Sequence, residues 1–190
     1  ITKFSHLHGV SSESSRRRVI QLGEDPRHVF TIGALGIEHI YKNKLVSLSK
    51  VEKSIDFSLG KKFFLLAYHP ATNSNEKGES TITNILSIVN EFPEYKLLIT
   101  LANADNGGRS INAIIKKFEK KYPKQIKAVS SLGSQKYLSL LKFASCIIGN
   151  SSSGIIEAPS LKTLTVNIGD RQKGRDAATS ILHCGTKKAE

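Results

Sequence analysis

Cys146-Ile147-Ile148-Gly149-Asn150-Ser151-Ser152-Ser153-Gly154-Ile155-Ile156-Glu157 runs from an apolar stretch through a glycine and three serines into a second apolar stretch. That order spells a strand, a tight turn and a helix N-terminus. The first turn of a helix leaves backbone N–H groups unpaired and carries partial positive charge. Serines there cap the helix and can also hydrogen-bond a phosphate. Glu157 falls about one and a half turns into the helix, on the same general side as the turn. A carboxylate so placed suits hydrogen bonds from sugar hydroxyls. Taken alone, the stretch reads equally as a capped helix after a buried strand.

The same alternation recurs around it. Phe63–Tyr68 is an apolar strand, followed by a helix over about 78–91. Leu97–Leu101 is the next strand, then a helix over about 108–121. Ile126–Val129 is a short strand and Ser134–Phe143 a helix with apolar spacing. Downstream, Ser152–Ser160 continues as a helix and Leu164–Asn167 as a strand. Continuous apolar strands alternating with helices require a parallel sheet covered on both faces, with right-handed crossovers. The class is α/β, a Rossmann-like doubly wound domain, with ligands expected beyond the strand C-termini.

The first residues differ. Residues 4–11 read as a short strand, Ser12–Leu22 as a helix capped by Ser12 and closed by Gly23, and Val29–Ile32 as a strand closed by Gly33. Periodicity is weak over residues 33–60. We place a boundary near residue 40, giving 1–40 as the end of a preceding domain and 41–190 as the main domain. Forty residues are too few to bury a core of their own. No internal repeat or low-complexity segment is present.

Composition narrows the function classes. Hydrophobic content of 39% with 23% charged residues fits a globular chain rather than a disordered one. No apolar run is long enough to span a bilayer, and Ile1-Thr2-Lys3-Phe4-Ser5-His6 lacks a signal-peptide core, so a cytoplasmic protein without a membrane partner is expected. With no Met in the chain, it reads as an excised, processed or incomplete piece of a protein. The net charge of +12 raises nucleic acid as a partner. The basic residues are scattered, however: Arg16-Arg17-Arg18 is short, and Lys116, Lys117, Lys120 and Lys121 recur at helical spacing. No stacking aromatics accompany them, so no nucleic-acid partner is expected, and the charge suits an anionic small molecule. Cys146 and Cys184 make neither a disulfide framework nor a zinc site, and Cys146 reads as a small buried residue. His6 and His8 alternate on the first strand without forming a recognised ligand pair, and no metal site is expected.

The strand ends collect polar groups. His69-Pro70 follows the first strand of the main domain, and Asn103 to Arg109 the second. Ser130-Ser131-Leu132-Gly133 follows the third, the serine turn the fourth, and Gly169 to Arg175 the fifth. Arginine forks with a serine-capped helix suit a diphosphate. No dinucleotide fingerprint follows the first strand and no Walker loop is present, which argues against NAD and ATP. A lone His69 is more often structural than catalytic. Five such loops together favour a nucleotide-sugar site.

Gly149 to Glu157, followed by Val166-Asn167-Ile168-Gly169-Asp170-Arg171-Gln172-Lys173-Gly174-Arg175, resembles the hydrolysing UDP-N-acetylglucosamine 2-epimerases, most closely the bacterial sialic-acid-synthesis branch. The resemblance covers essentially the whole chain, with Ile1 to His8 similar to the last part of that family's N-terminal domain. It implies the C-terminal half of a GT-B fold, two Rossmann-like domains with the active site in the cleft between them. It implies cleavage of UDP-N-acetylglucosamine to UDP and N-acetylmannosamine, by elimination of UDP and then addition of water with inversion at C2. No cofactor is implied, and the full-length protein would be a dimer or tetramer.

Residue by residue, the resemblance implies that His69 contacts the diphosphate or assists UDP departure, as the catalytic group of this chain. Asn103 would line the cleft, and the Leu132 backbone would hold the uracil ring. Ser151 and Ser152 would bind the diphosphate, Glu157 the ribose hydroxyls, and Arg171 the UDP. The family's acidic catalytic residues lie in its N-terminal domain, ahead of Ile1 here. Asp105 and Asp170 are not promoted in their place, since aspartate favours loops and turns. Two other readings stay open: an epimerase of a related UDP-diacetamido sugar, and the donor domain of a GT-B glycosyltransferase.

Overall fold

Two compact units, Ile1–Lys44 and Leu45–Glu190, divide the chain in a computed structural model describing residues 1–42, 44–70, 78–89, 91–103 and 107–189.

In the smaller unit, β1 (His8–Val10) pairs in parallel with β2 (Val29–Thr31), and α1 (Glu13–Gln21) joins them. Ser12 starts α1 because its Oγ accepts from the Ser15 N–H at 3.2 Å. Gly23, at φ +91°, closes it. The first strand is shorter than expected. Thr2–Phe4 form a 3₁₀ turn instead, so His6 lies outside the strand and does not share a face with His8. β2 offers only three residues to pair with, which limits β1 to the same length. His8 is buried, its Nε2 3.1 Å from Glu24 Oε2. Helix α2 (Leu35–Lys42) ends the unit.

The larger unit begins with α3 (Leu48–Ile55). Helices α2 and α3 occupy a region whose periodicity predicted no element. Leu48, Val51, Ile55 and Leu59 do keep helical spacing, and Val51 and Leu59 are fully buried. Intervening Lys50, Glu52 and Lys53 dilute that signal in so short a segment. Asp56 ends α3 in the left-handed region, at φ 49°.

Six strands follow: β3 (Phe63–Ala67), β4 (Lys96–Thr100), β5 (Ile126–Val129), β6 (Cys146–Gly149), β7 (Leu164–Ile168) and β8 (Ile181–Cys184). All pair in parallel, in the order β5-β4-β3-β6-β7-β8. Between them run α4 (Gly78–Val89), α5 (Gly108–Lys121), α6 (Gly133–Phe143) and α7 (Ser153–Ser160). This is the doubly wound Rossmann-like arrangement that the alternation predicted. Leu66, Leu97 and Ile99 from the sheet pack with Ile82, Leu86, Ile111 and Ile115 from α4 and α5. Each fully buried side chain of this kind contributes about 1.5–3 kcal/mol.

Strand β8 was not predicted. Only Ile181 is buried in it, while Leu182 and His183 are exposed, so no continuous apolar run marks this edge strand. Cys146 is half-buried rather than buried, and desolvation pushes its thiol up to about 11.

Candidate functional site

The chain winds outward from β3 through β4 to β5, then returns to place β6 on the other side of β3. Loops leaving β3 and β6 therefore diverge, and a crevice opens beyond their C-termini. Gly149 lets the two strand ends meet. At φ +129°, a Cβ there would sit 2.2 Å from the Ala67 carbonyl oxygen.

Asn150 follows, 2% exposed. Its backbone N–H donates to the Ala67 carbonyl at 3.2 Å. Its side-chain Oδ1 accepts from the His69 N–H, and its Nδ2 donates to the His69 carbonyl, both at 2.8 Å. Its own carbonyl accepts from Arg171 Nη1 at 2.9 Å and from Gln172 Nε2 at 2.8 Å.

Asn112 of α5 treats the loop after β4 in the same way. Its Oδ1 accepts from the Ala102 N–H at 2.9 Å, and its Nδ2 donates to the Ala102 carbonyl at 3.0 Å. Asn103 is the next residue. Replacing Asn112 with alanine strands a backbone donor and acceptor together, so a loss of about 2–3 kcal/mol of stability is expected in urea denaturation. A loss within about 0.5 kcal/mol would contradict the clamp.

The crevice holds a cleft of about 370 Å³ lined by His69, Asn103, Leu132, Tyr137, Ser151 and Ser153, among others. Four residues singled out in the sequence, His69, Asn103, Leu132 and Ser151, thus meet on one surface. Ser152, Glu157 and Arg171 are not on its wall.

The serine turn differs from a simple cap. Ser152 holds the N-cap position of α7 but is already helical, at φ −61° and ψ −22°, and its side chain makes no capping bond. An N-cap hydroxyl needs an extended backbone to reach the first turn. Ser151 Oγ instead accepts from the Ser153 N–H at 3.4 Å and from Ser153 Oγ at 3.1 Å. The Gly154 N–H donates to the Ser151 carbonyl at 3.1 Å, and the Ile155 N–H to that of Ser152 at 3.0 Å. This 3₁₀-like tightening occupies two of the N–H groups that an α-helix start leaves open. The turn accordingly presents side-chain hydroxyls more than free backbone N–H groups.

Tyr137 hydrogen-bonds Ser153 Oγ from α6. Its phenol is pushed above its usual pKa, chiefly by burial and also by the Glu157 charge. Glu157 is half-buried, and its Oε2 has no hydrogen-bond partner among the described residues. Desolvation raises its carboxyl above the ordinary 4.5, partly offset by its own backbone N–H. A desolvated acceptor without a donor is costly, and a hydroxyl brought by a ligand would satisfy it.

Arg171 lies exposed in the 3₁₀ turn Asp170–Gln172, with Gln172 buried beneath. Asp170 stands in that loop, its carboxylate 3.6 Å from Lys173 Nζ. Asp105 lies outside the described residues. Asn150, Tyr137, Ser153 and Gln172 had no assigned role in the sequence reading. Asn150, Ser153 and Gln172 stand within the motifs, but Asn150 reaches a segment 81 residues away and Gln172 one 22 residues away.

Residues 1–190 match the family model described as UDP-N-acetylglucosamine 2-epimerase. Over 182 residues the chain is 42% identical to the GDP/UDP-N,N'-diacetylbacillosamine 2-epimerase (hydrolyzing) of Campylobacter jejuni, covering 96% of this chain and 47% of that protein. It is 40% identical to the polysialic acid biosynthesis protein P7 of Escherichia coli over 189 residues, covering 99% and 48% respectively. An S. aureus MnaA–UDP co-structure superposes with a TM-score of 0.73 at 17% identity, over 99% of this chain and 49% of that one. The chain thus spans about half the length of the relatives it matches. With a match along its whole length and relatives at 40% identity and above, the chain belongs to the UDP-N-acetylglucosamine 2-epimerase family.

Proposed function

We propose that this chain supplies the UDP-binding half of a hydrolysing 2-epimerase built on a two-domain GT-B fold, with residues 1–40 as the tail of the N-terminal domain. The observation that carries the proposal is the desolvated Oε2 of Glu157, without a partner among the described residues, on the helix that the serine turn opens. Ribose hydroxyls would donate to Glu157, while Ser151 and Ser152 receive the diphosphate. Leu132 offers its backbone to the uracil, Asn103 lines the cleft, and Arg171 stands at the rim for the phosphates. His69 would hold the diphosphate as the C1–O bond breaks and negative charge gathers on departing UDP. The carboxylates that remove and return the sugar proton would come from the protein's other half.

The 42% identical relative, named for GDP/UDP-N,N'-diacetylbacillosamine, supports a nucleotide-linked diacetamido sugar as substrate, read here as the UDP form. A second reading, UDP-N-acetylglucosamine on a route to sialic acid, is supported by the family's description and the polysialic-acid relative. Product analysis of the full-length protein with each UDP-sugar separates the two. A cytoplasmic homo-oligomer accompanies either reading, and light scattering on the full-length protein tests its assembly.

Calorimetry with UDP tests the binding half directly. A ligand that donates hydrogen bonds to ionised Glu157 favours the deprotonated form, so affinity should rise as pH is raised from 4.5 toward neutral. In Glu157→Gln that rise should flatten. No UDP binding at millimolar ligand would overturn the proposal.

A further inference from the structure

We propose that Asn150 is the positioning residue of this site: its side-chain amide sets the backbone of His69, and Gln172 locks Asn150 in place. The ligand used below rests on the functional reading above; the positioning itself does not.

The Asn150 amide meets both backbone groups of His69, at 2.8 Å each, across 81 residues of sequence. The amide holds the N–H of the Tyr68–His69 peptide and the C=O of the His69–Pro70 peptide, so neither peptide flips without losing a bond, and sliding His69 loses both. Only Asn among residues of this length presents a donor and an acceptor side by side; Asp of the same shape lacks the donor. Asn150 is itself held by its backbone: its N–H is on the Ala67 carbonyl, and its carbonyl is shared by Arg171 and Gln172. The two donors differ in kind. Arg171 is exposed and charged, and an anion in the cleft would compete for it. Gln172 is 3% exposed and neutral, so an anion does not draw it away. The carbonyl therefore keeps one donor when the guanidinium turns to a phosphate. His69 can hold its place while the rim of the site changes partners.

The decisive experiment compares Asn150→Asp, His69→Ala and the double variant by UDP calorimetry, with NMR of the His69 imidazole in each variant that retains it. Asn150→Asp preserves the acceptor for the His69 N–H but opposes the His69 carbonyl with a second acceptor. UDP affinity should fall roughly tenfold in each single variant. The double variant should be no weaker than His69→Ala, because Asn150 acts through His69. The His69 imidazole resonances should shift in Asn150→Asp even without ligand, a signature that mere loss of stability does not produce. Affinity of Asn150→Asp within about twofold of wild type, or losses that multiply in the double variant, would overturn the proposal.

Should Asn150→Asp lose its folded circular-dichroism spectrum, the wild-type protein decides. UDP should then move the Asn150 side-chain amide and the His69 imidazole along one isotherm. His69 moving while the Asn150 amide stays still would refute the positioning role. If wild type binds no UDP, the functional reading fails, while the ligand-free His69 resonances of Asn150→Asp still judge the positioning.

Discussion

Gly149→Ala is expected to remove a large share of the protein's stability. A Cβ at position 149 would lie 2.2 Å from the Ala67 oxygen and 2.7 Å from its carbon, with φ at +129°. The obstacle is backbone, so no side-chain rotamer relieves it. The strands pair here in register, Ala67 opposite Gly149, and parting them breaks the bonds by which Asn150 holds Ala67 and His69. A strained φ alone costs about 1–3 kcal/mol, and the clash with lost hydrogen bonds raises the sum to roughly 4 kcal/mol or more. Domains of this size have about 5–15 kcal/mol in total. Urea denaturation measures the loss, and a change under about 1 kcal/mol would show that the strand ends can separate freely.

Glu157→Ala is expected to act in opposite directions on binding and on stability. UDP affinity should drop by about 1.5–3 kcal/mol, the contribution of hydrogen bonds to a charged group, or roughly ten- to a hundredfold. Stability should hold or rise at neutral pH. The folded carboxyl keeps its proton to higher pH than the unfolded one, since burial raises it above 4.5. Below 4.5 both states are protonated, and the group carries no penalty. As pH rises through the folded value, the unpaired charge begins to weigh on the native state. The mutant's advantage should therefore appear at neutral pH and vanish in acid, in thermal melts across that range. Unchanged UDP affinity would remove Glu157 from the site, and a stability loss at neutral pH would show that its carboxylate has a partner.

The central strands were legible because burial on both faces leaves a contiguous apolar run. Phe63–Ala67 and Lys96–Thr100 lie within a residue of their expected bounds. The edge strand Ile181–Cys184 carries no such run, and α3 buries too few positions to outweigh its charges. His69, Asn103, Leu132 and Ser151 were legible as a group because they follow strands, and strand ends converge in this fold. Asn150 and Gln172 belong to another kind of residue. Their work is to hold backbone from a distant segment, and local spacing carries no trace of that. Tyr137 stands among the apolar residues of its helix, and nothing local marks that its hydroxyl reaches the serine turn.

The Asn150–His69 pair, 81 residues apart, also has a meaning during synthesis. Until β6 arrives, β3 has β4 on one side and an open row of N–H and C=O groups on the other. Such an edge invites pairing with other chains. The arrival of β6 seals that edge and, in the same stroke, brings Asn150 to His69. Removal of the aggregation hazard and closure of the crevice beyond the strand ends are thus one event in the life of the chain.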